Sequence, residues 1–172
     1  MVPTTTRRCR SKAISDLVIG LAPAINDDVR MLVGELDQGL SQSYTPGQRH
    51  GLRAGDIFQL HIRFFMARLR GAPVGCGGVA LYPDYAEVKR MFVRKGQRGQ
   101  GIGQALLDRV EAEARAEGRT VLRLETGTEQ HASIRLYERH GFRPCGPFGM
   151  FETMQPEAMA TSLYYKKPLP PC

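Results

Sequence analysis

The chain has 172 residues, enough for one domain with a real core and too few for two ordinary ones. Hydrophobic residues make up 42% and charged residues 24%, close to average usage, which excludes a disordered or fibrous chain. A formal net charge of +7, from 24 Lys+Arg against 17 Asp+Glu, directs attention to anionic partners such as phosphates.

Residues 1–15, with "TTTRRCRSK", read as a basic tail, and 16–172 as the folded domain. Cys9, Cys76, Cys145 and Cys172 show no paired spacing, so no disulfide framework is expected. His50, His61, His131 and His140 never combine with each other or with cysteines at metal-ligand spacing, so no metal site is expected either. No apolar run approaches the ~18 residues of a membrane span, and no signal core follows the basic start. The expectation is a soluble protein of the reduced cytoplasm with no membrane partner.

In chain order, "DLVIGLAP" predicts a first strand, and Asn26 stands as N-cap before "DDVRMLVGELDQGL", whose apolar residues recur at helical spacing. "SQSYTPGQRHGLRAGD" is rich in turn residues and predicts a loop or short broken helix. "FFMARLRG", "APVGCGGVALY" and "AEVKRMFV" predict a meander of three strands. The third sets Val88, Arg90 and Phe92 against Glu87, Lys89, Met91 and Val93, with apolar residues on both sides, as suits an interior strand. Ile102, Leu106, Leu107, Val110 and Ala114 then form one stripe of a helix ended by Gly118. "TVLRLET" predicts a strand parallel to the one before that helix, "HASIRLYERH" a helix closed by Gly141, and "TSLYYKKPL" a last strand.

The stretch before the long stripe, "VRKGQRGQGIGQALL", gathers glycines and cations at a helix start. Glycines at 99, 101 and 103 let backbone approach a ligand closely, and the helix presents bare N–H groups and a positive dipole end to it. A dinucleotide fingerprint fails because position 104 is Gln, and no G-K-[ST] follows as a nucleotide phosphate loop requires. Two readings stay open on these residues alone: an anion cradle, or a tight strand-to-helix turn.

Arg98-Gly99-Gln100-Gly101-Ile102-Gly103 resembles the R/Q-x-x-G-x-G/A signature of the GNAT N-acetyltransferases, and "IRLYERHGF" resembles their L-Y-x-x-x-G-F helix. The resemblance implies a single-domain α/β fold, a mixed twisted sheet with helices on both faces. It implies acetyl coenzyme A as co-substrate. The pyrophosphate would meet Arg98 and the amides of Gly99, Gln100, Gly101, Ile102, Gly103 and Gln104, and the pantetheine arm would lie along the main chain of Met91, Phe92 and Val93. Many relatives place Asn where Gln130 stands, so Gln130 reads either as a cofactor contact or as a residue that starts a helix.

The resemblance also assigns roles. Glu87 matches the glutamate that acts as general base in histone-modifying members, and Tyr137 matches the acid that faces the departing thiolate. On the residues alone, Glu87 could equally be a strand carboxylate paired with Lys89 or Arg123, Tyr137 a packing aromatic, and Glu125 or Glu152 the base. Residues 26–55 and "PFGMFETMQPEAMA" are expected to form the acceptor surface, with Tyr44, Phe148, Met150, Phe151 and Met154 as an apolar pocket or as core, and Glu152 or Asp84 to attract an amine.

Three functions follow, in order: acetylation of a small-molecule primary amine by direct attack; acetylation of protein lysine or N-termini; or a noncatalytic domain binding coenzyme A or nucleic acid. No recognition helix or stacking-aromatic motif supports a nucleic-acid partner. A last strand left exposed could pair across a homodimer.

Overall fold

A computed structural model describes residues 14–170. The tail expected over 1–15 lies, except for residues 14 and 15, outside the described residues, as do Cys9 and Cys172. Ile14 packs against the main core, so ordered contacts begin before Asp16.

The elements run β1 (Leu17–Leu21), α1 (Asp27–Ser41), β2 (Ile62–Leu69), β3 (Ala72–Leu81), β4 (Ala86–Val93), α2 (Ile102–Ala116), β5 (Val121–Gly127), α3 (His131–Arg139), β6 (Arg143–Cys145), α4 (Pro156–Met159) and β7 (Ser162–Pro168). Asn26 caps α1 as its sequence predicts, its side chain accepting from the Val29 amide at 2.9 Å. The loop after α1 holds short 3-10 turns at Pro46–Gln48 and Ala54–Asp56.

The sheet has seven strands in the order β1-β2-β3-β4-β5-β7-β6. Every pairing is antiparallel except β4 with β5, the neighbours joined through α2. The last strand is not the edge of the sheet: β7 pairs β5 along one side and, at Tyr164–Lys166, the three-residue β6 along the other. Nothing in "RPC" carries a strand period, which is why β6 escapes prediction.

Alternate residues of β2 show how the sheet separates two cores. Phe64 and Met66 pack with Val29, Leu32 and Val33 of α1, whereas Phe65 and Ala67 pack with Ile102, Leu106, Leu107 and Val110 of α2. Tyr137 of α3 joins the α2 side, so helices cover both faces as the resemblance implied.

A bulge in β4 changes which side chains face which core. Cys76 pairs Phe92 and Gly78 pairs Lys89, leaving Arg90 and Met91 opposite Gly77, and Arg90 has a φ of 54°. Val88 packs on the α2 side, and beyond the bulge so do Met91 and Val93, while Phe92 turns to the α1 side. The alternation read from the sequence, which put Val88 and Phe92 on one face, is therefore corrected by one inserted residue.

Phe148 and Phe151 are correctly placed near the end of the chain's fold but not in a pocket. They bury against Tyr164, with ring centroids 5.4 Å apart for Phe148–Phe151 and 5.3 Å for Phe151–Tyr164, and Met154 packs beside them. These edge-on and tilted rings are almost wholly buried, so they serve as core, while Met150 is 54% exposed.

Candidate active site

The parallel seam of the sheet is short. β4 and β5 pair only at Ala86 with Leu122 and at Glu87 with Arg123, after which β4 runs on to Val93 and β5 to Gly127 without bridging. Their backbone groups beyond Glu87 thus face a gap at the carboxyl ends of the strands. A groove of about 1090 Å³ occupies it, lined by Met91, Phe92 and Val93 on one wall and by Gln130, Ser133 and Tyr137 on the other.

One end of this groove is the glycine stretch. Ala105 is the first α2 residue to bond backward, to the Gly101 carbonyl at 3.0 Å, so the amides of Ile102, Gly103 and Gln104 have no partner inside the helix. Gly101 is the N-cap at φ 87°, a conformation that L side chains resist, and no side chain caps the helix in its place. Gly103 allows close packing, since a Cβ there would lie 2.9 Å from Leu136 of α3.

Around these amides Gly99, Gln104, Lys95, Arg98, Arg135 and Arg139 line the groove. Arg98 spends its Nε on the Val93 carbonyl at 2.9 Å, fixing the loop and leaving the rest of its guanidinium outward. Gln100 instead bonds Gln97 at 3.0 Å and is absent from the groove lining; Gln104 bonds Asp108 at 3.2 Å and His140. Other cations of the basic stretch turn elsewhere: Lys89 and Arg90 are buried, and Arg94 grips Glu35 at 2.6 Å.

At the other end a smaller cavity of about 110 Å³ opens under α1, and Leu36, Leu40, Met91, Gln130, Ser133 and Tyr137 border both spaces. Tyr137 is 6% exposed; burial, then the nearby Glu125, raises its pKa and keeps it a neutral phenol. Gln130 is the N-cap of α3 but makes no side-chain cap bond, so its amide is not consumed by the helix. Tyr44 borders the cavity too, and its hydroxyl accepts the Glu129 amide at 2.8 Å, tying the loop after α1 to the turn before α3.

Two carboxylates line the small cavity. Glu87, 3% exposed, is raised in pKa chiefly by burial, opposed by Lys89, whose Nζ sits 2.5 Å from Oε1. Glu125 is raised chiefly by burial as well, opposed by the Ser162 hydroxyl that donates to it at 2.7 Å. Glu152 and Asp84, the acids expected to attract an amine, do not border this cavity, whereas Arg49, His50, Lys89 and Arg90 do. Sequence reasoning missed Arg49 and His50 because they sit in an aperiodic loop; His50 reaches the Ala158 carbonyl at 2.8 Å across the fold.

Such an opening suits a long ligand that is anionic at one end and reacts at the other, which is the architecture of acyl-coenzyme A-dependent transferases. Residues 35–142 match the model of the acetyltransferase (GNAT) family. An IAA acetyltransferase of Azospirillum brasilense is 41% identical over 156 residues, spanning 90% of this chain and 99% of that one. Among solved structures, a Klebsiella pneumoniae protein named as an acyl-CoA N-acyltransferase superposes with a TM-score of 0.74 at 30% identity, covering 89% of this chain and 97% of that chain. A GNAT family acetyltransferase of Elizabethkingia anophelis with acetyl-CoA bound shares the fold at a TM-score of 0.63, 18% identity and coverage of 91% and 100%. The chain belongs to the GNAT acetyltransferase family, and acetyl-CoA is its co-substrate.

Proposed function

We propose that the chain acetylates the primary amine of a small molecule by direct attack on acetyl-CoA in a ternary complex. One observation carries this reading: a small cavity bordered by the buried Glu87 and the half-buried Glu125 opens beside Tyr137 onto the groove that leads to the bare α2 amides. A small acceptor and the reacting end of the co-substrate can then meet at one point, with no need for a covalent enzyme intermediate.

An alkylamine of pKa ~10.4 is only about 0.1% neutral near pH 7.4, a penalty of roughly 4 kcal/mol that the site must offset. Glu87, directly or through water, takes the proton from the amine; Glu125, in the same cavity, is its alternate. The neutral nitrogen attacks the thioester carbon, the C–N bond forms, the C–S bond breaks, and the sulfur leaves with the electron pair. Main-chain N–H groups near Phe92 face the developing oxyanion. Tyr137 donates a hydrogen bond to the departing sulfur, and the proton lost by the amine balances the one the thiolate gains. Its raised pKa makes complete proton transfer from the phenol uphill, so the hydrogen bond is the larger part of its service.

Gly99, Gly101 and Gly103, with the amides through Gln104 and the Arg98 guanidinium, would hold the pyrophosphate. The length that this chain shares with an IAA acetyltransferase supports a small-molecule acceptor over a protein tail. The test is release of coenzyme A thiol from acetyl-CoA with panels of small amines and of lysine peptides. Turnover confined to peptides would sink the small-molecule reading.

A further inference from the structure

The small cavity bordered by Glu87 and Glu125 is also bordered by two arginines that the acetyl-transfer chemistry does not use. Arg49 lies in the loop after α1, and its Nε is buried without any hydrogen-bond acceptor. Arg90 lies at the β4 bulge, its side chain 3% exposed, and its Nε is likewise buried and unpartnered. Asp37 holds the Arg90 Nη2 at 2.5 Å, and the guanidinium rests over Gly51, so this side chain is fixed in place. A non-glycine residue at φ 54° keeps that strained backbone only where surrounding contacts demand it.

Buried guanidinium N–H groups without acceptors are costly; that of Arg123 is buried likewise, but its guanidinium lies over the Tyr85 and Phe148 rings, whereas Arg49 and Arg90 border one cavity that an anion could enter. The planar, single-charged partner that matches guanidinium donors is a carboxylate. The acids of the same cavity are differently committed. Glu87 is paired to Lys89, while Glu125 receives a hydroxyl from Ser162 and forms no ion pair among the described residues. A cavity with unsatisfied cationic donors and an unpaired carboxylate complements a ligand bearing both charges.

Building on the proposed amine acetylation, we infer that the acceptor is a small amino carboxylate, whose carboxylate meets Arg49 and Arg90 and whose amine faces Glu87 and Glu125. The cavity's roughly 110 Å³ also bounds its size. That is below the ~150 Å³ of a cavity known to take benzene, so a compact amino acid fits and a bulky one must extend into the groove. Bond making is as above: nitrogen to acetyl carbon, sulfur leaving, with the carboxylate a spectator that orients the amine.

The test compares acids with their neutral amides: glycine with glycinamide, L-alanine with L-alaninamide, L-serine with L-serinamide and β-alanine with β-alaninamide, plus O-phosphoethanolamine. Thiol release gives kcat/KM for wild type, Arg49→Gln and Arg49→Lys, and calorimetry with acetyl-CoA reports whether each variant is folded. At least one acid should exceed its amide by about tenfold or more, although the amide's less basic amine is more often neutral. Arg49→Gln should erase that preference and Arg49→Lys should restore part of it. Amides or O-phosphoethanolamine used as well as the acids, or a preference unchanged in Arg49→Gln, would overturn the inference and leave amine acetylation standing. No thiol release with any of these amines, acid or amide, while acetyl-CoA binds normally, would overturn the small-amine reading and the inference with it.

Discussion

Tyr137 keeps its ring in the α2-side core, 5.8 Å from Phe142 between centroids, while bordering both cavities of the site. Packing and chemistry therefore separate on one side chain. Tyr137→Phe retains the ring, so melting should shift by no more than about 1 kcal/mol, whereas losing the donor should cost 10²- to 10⁴-fold in single-turnover transfer. Normal melting with a full rate would leave Tyr137 as a packing residue. Burial raises both Glu87 and Glu125, and Glu125 is also among the causes that lift Glu87. Raised carboxyl pKa values mean that the ionised, proton-accepting forms appear later than the ordinary 4.5, so the acid limb of kcat/KM should lie above that value. Glu87→Gln should lower turnover near neutrality and recover in part at high pH, where the amine is already neutral. If Glu125→Gln shows that behaviour and Glu87→Gln does not, the base is Glu125. The same raised values run against stability: ionising either group costs folding free energy as pH climbs from 4.5 through the folded pKa. Glu125→Gln should thus melt no lower than wild type at pH 7.

The α2 start tests the glycine cradle as an element. A Cβ at Gly101 would stand 3.5 Å from Ile14 Cδ1, an ordinary contact, so the cost of substitution is the left-handed φ, about 1–2 kcal/mol. Gly101→Glu should therefore fold, yet place a negative charge where, on the proposed reading, the pyrophosphate would meet the bare amides, and abolish acetyl-CoA binding by calorimetry. Wild-type affinity in that folded variant would return these glycines to turn formation. This element was legible in advance because its signals are local: glycines, an apolar stripe and a capping glycine lie within one stretch. The strands of the meander were legible for the same reason, through period and turn residues. What was not legible depends on contacts distant in sequence. The bulge at Arg90 arises where β3 and β4 meet, and it turns Glu87, Lys89 and Phe92 as no alternation in "AEVKRMFV" can show. Phe148 and Phe151 look the same in sequence whether they line a pocket or bury against Tyr164, and only the return of β7 decides it. Arg49 belongs to a loop whose position is set by partners such as the Tyr44 hydroxyl on the Glu129 amide.

At the scale of the molecule, a charged cluster behind the cradle ties α2 to the far half of the sheet. Glu111 of α2 receives Lys167 of β7, Arg115 at 2.9 Å and His140, which follows α3, at 3.2 Å. Burial alone would raise the Glu111 carboxyl, but the hydrogen bonds from His140, Lys167 and Arg115 outweigh it and hold it well below the usual carboxylate range. Its contribution is thus present above pH 4.5 and is lost as pH falls below that value. Glu111→Gln should cost roughly 1–3 kcal/mol at neutral pH, by leaving Lys167 and His140 short of a partner, and should flatten the acid side of the melting profile. A variant with the wild-type profile would show the cluster to be screened by solvent. The short seam between β4 and β5 has a consequence of a different kind. Two bridged pairs, at Ala86–Leu122 and Glu87–Arg123, are all that join the antiparallel ladder β1–β4 to the ladder β5–β7–β6 within the sheet, so its two leaves are held together chiefly by the core they share under α2. A ligand laid between the leaves would take the place of the missing rungs for as long as it stays. Occupancy would then add to stability: at 100 times its Kd such a ligand adds about 2.7 kcal/mol to the folded state. Release of coenzyme A at the end of each turnover would remove that contribution.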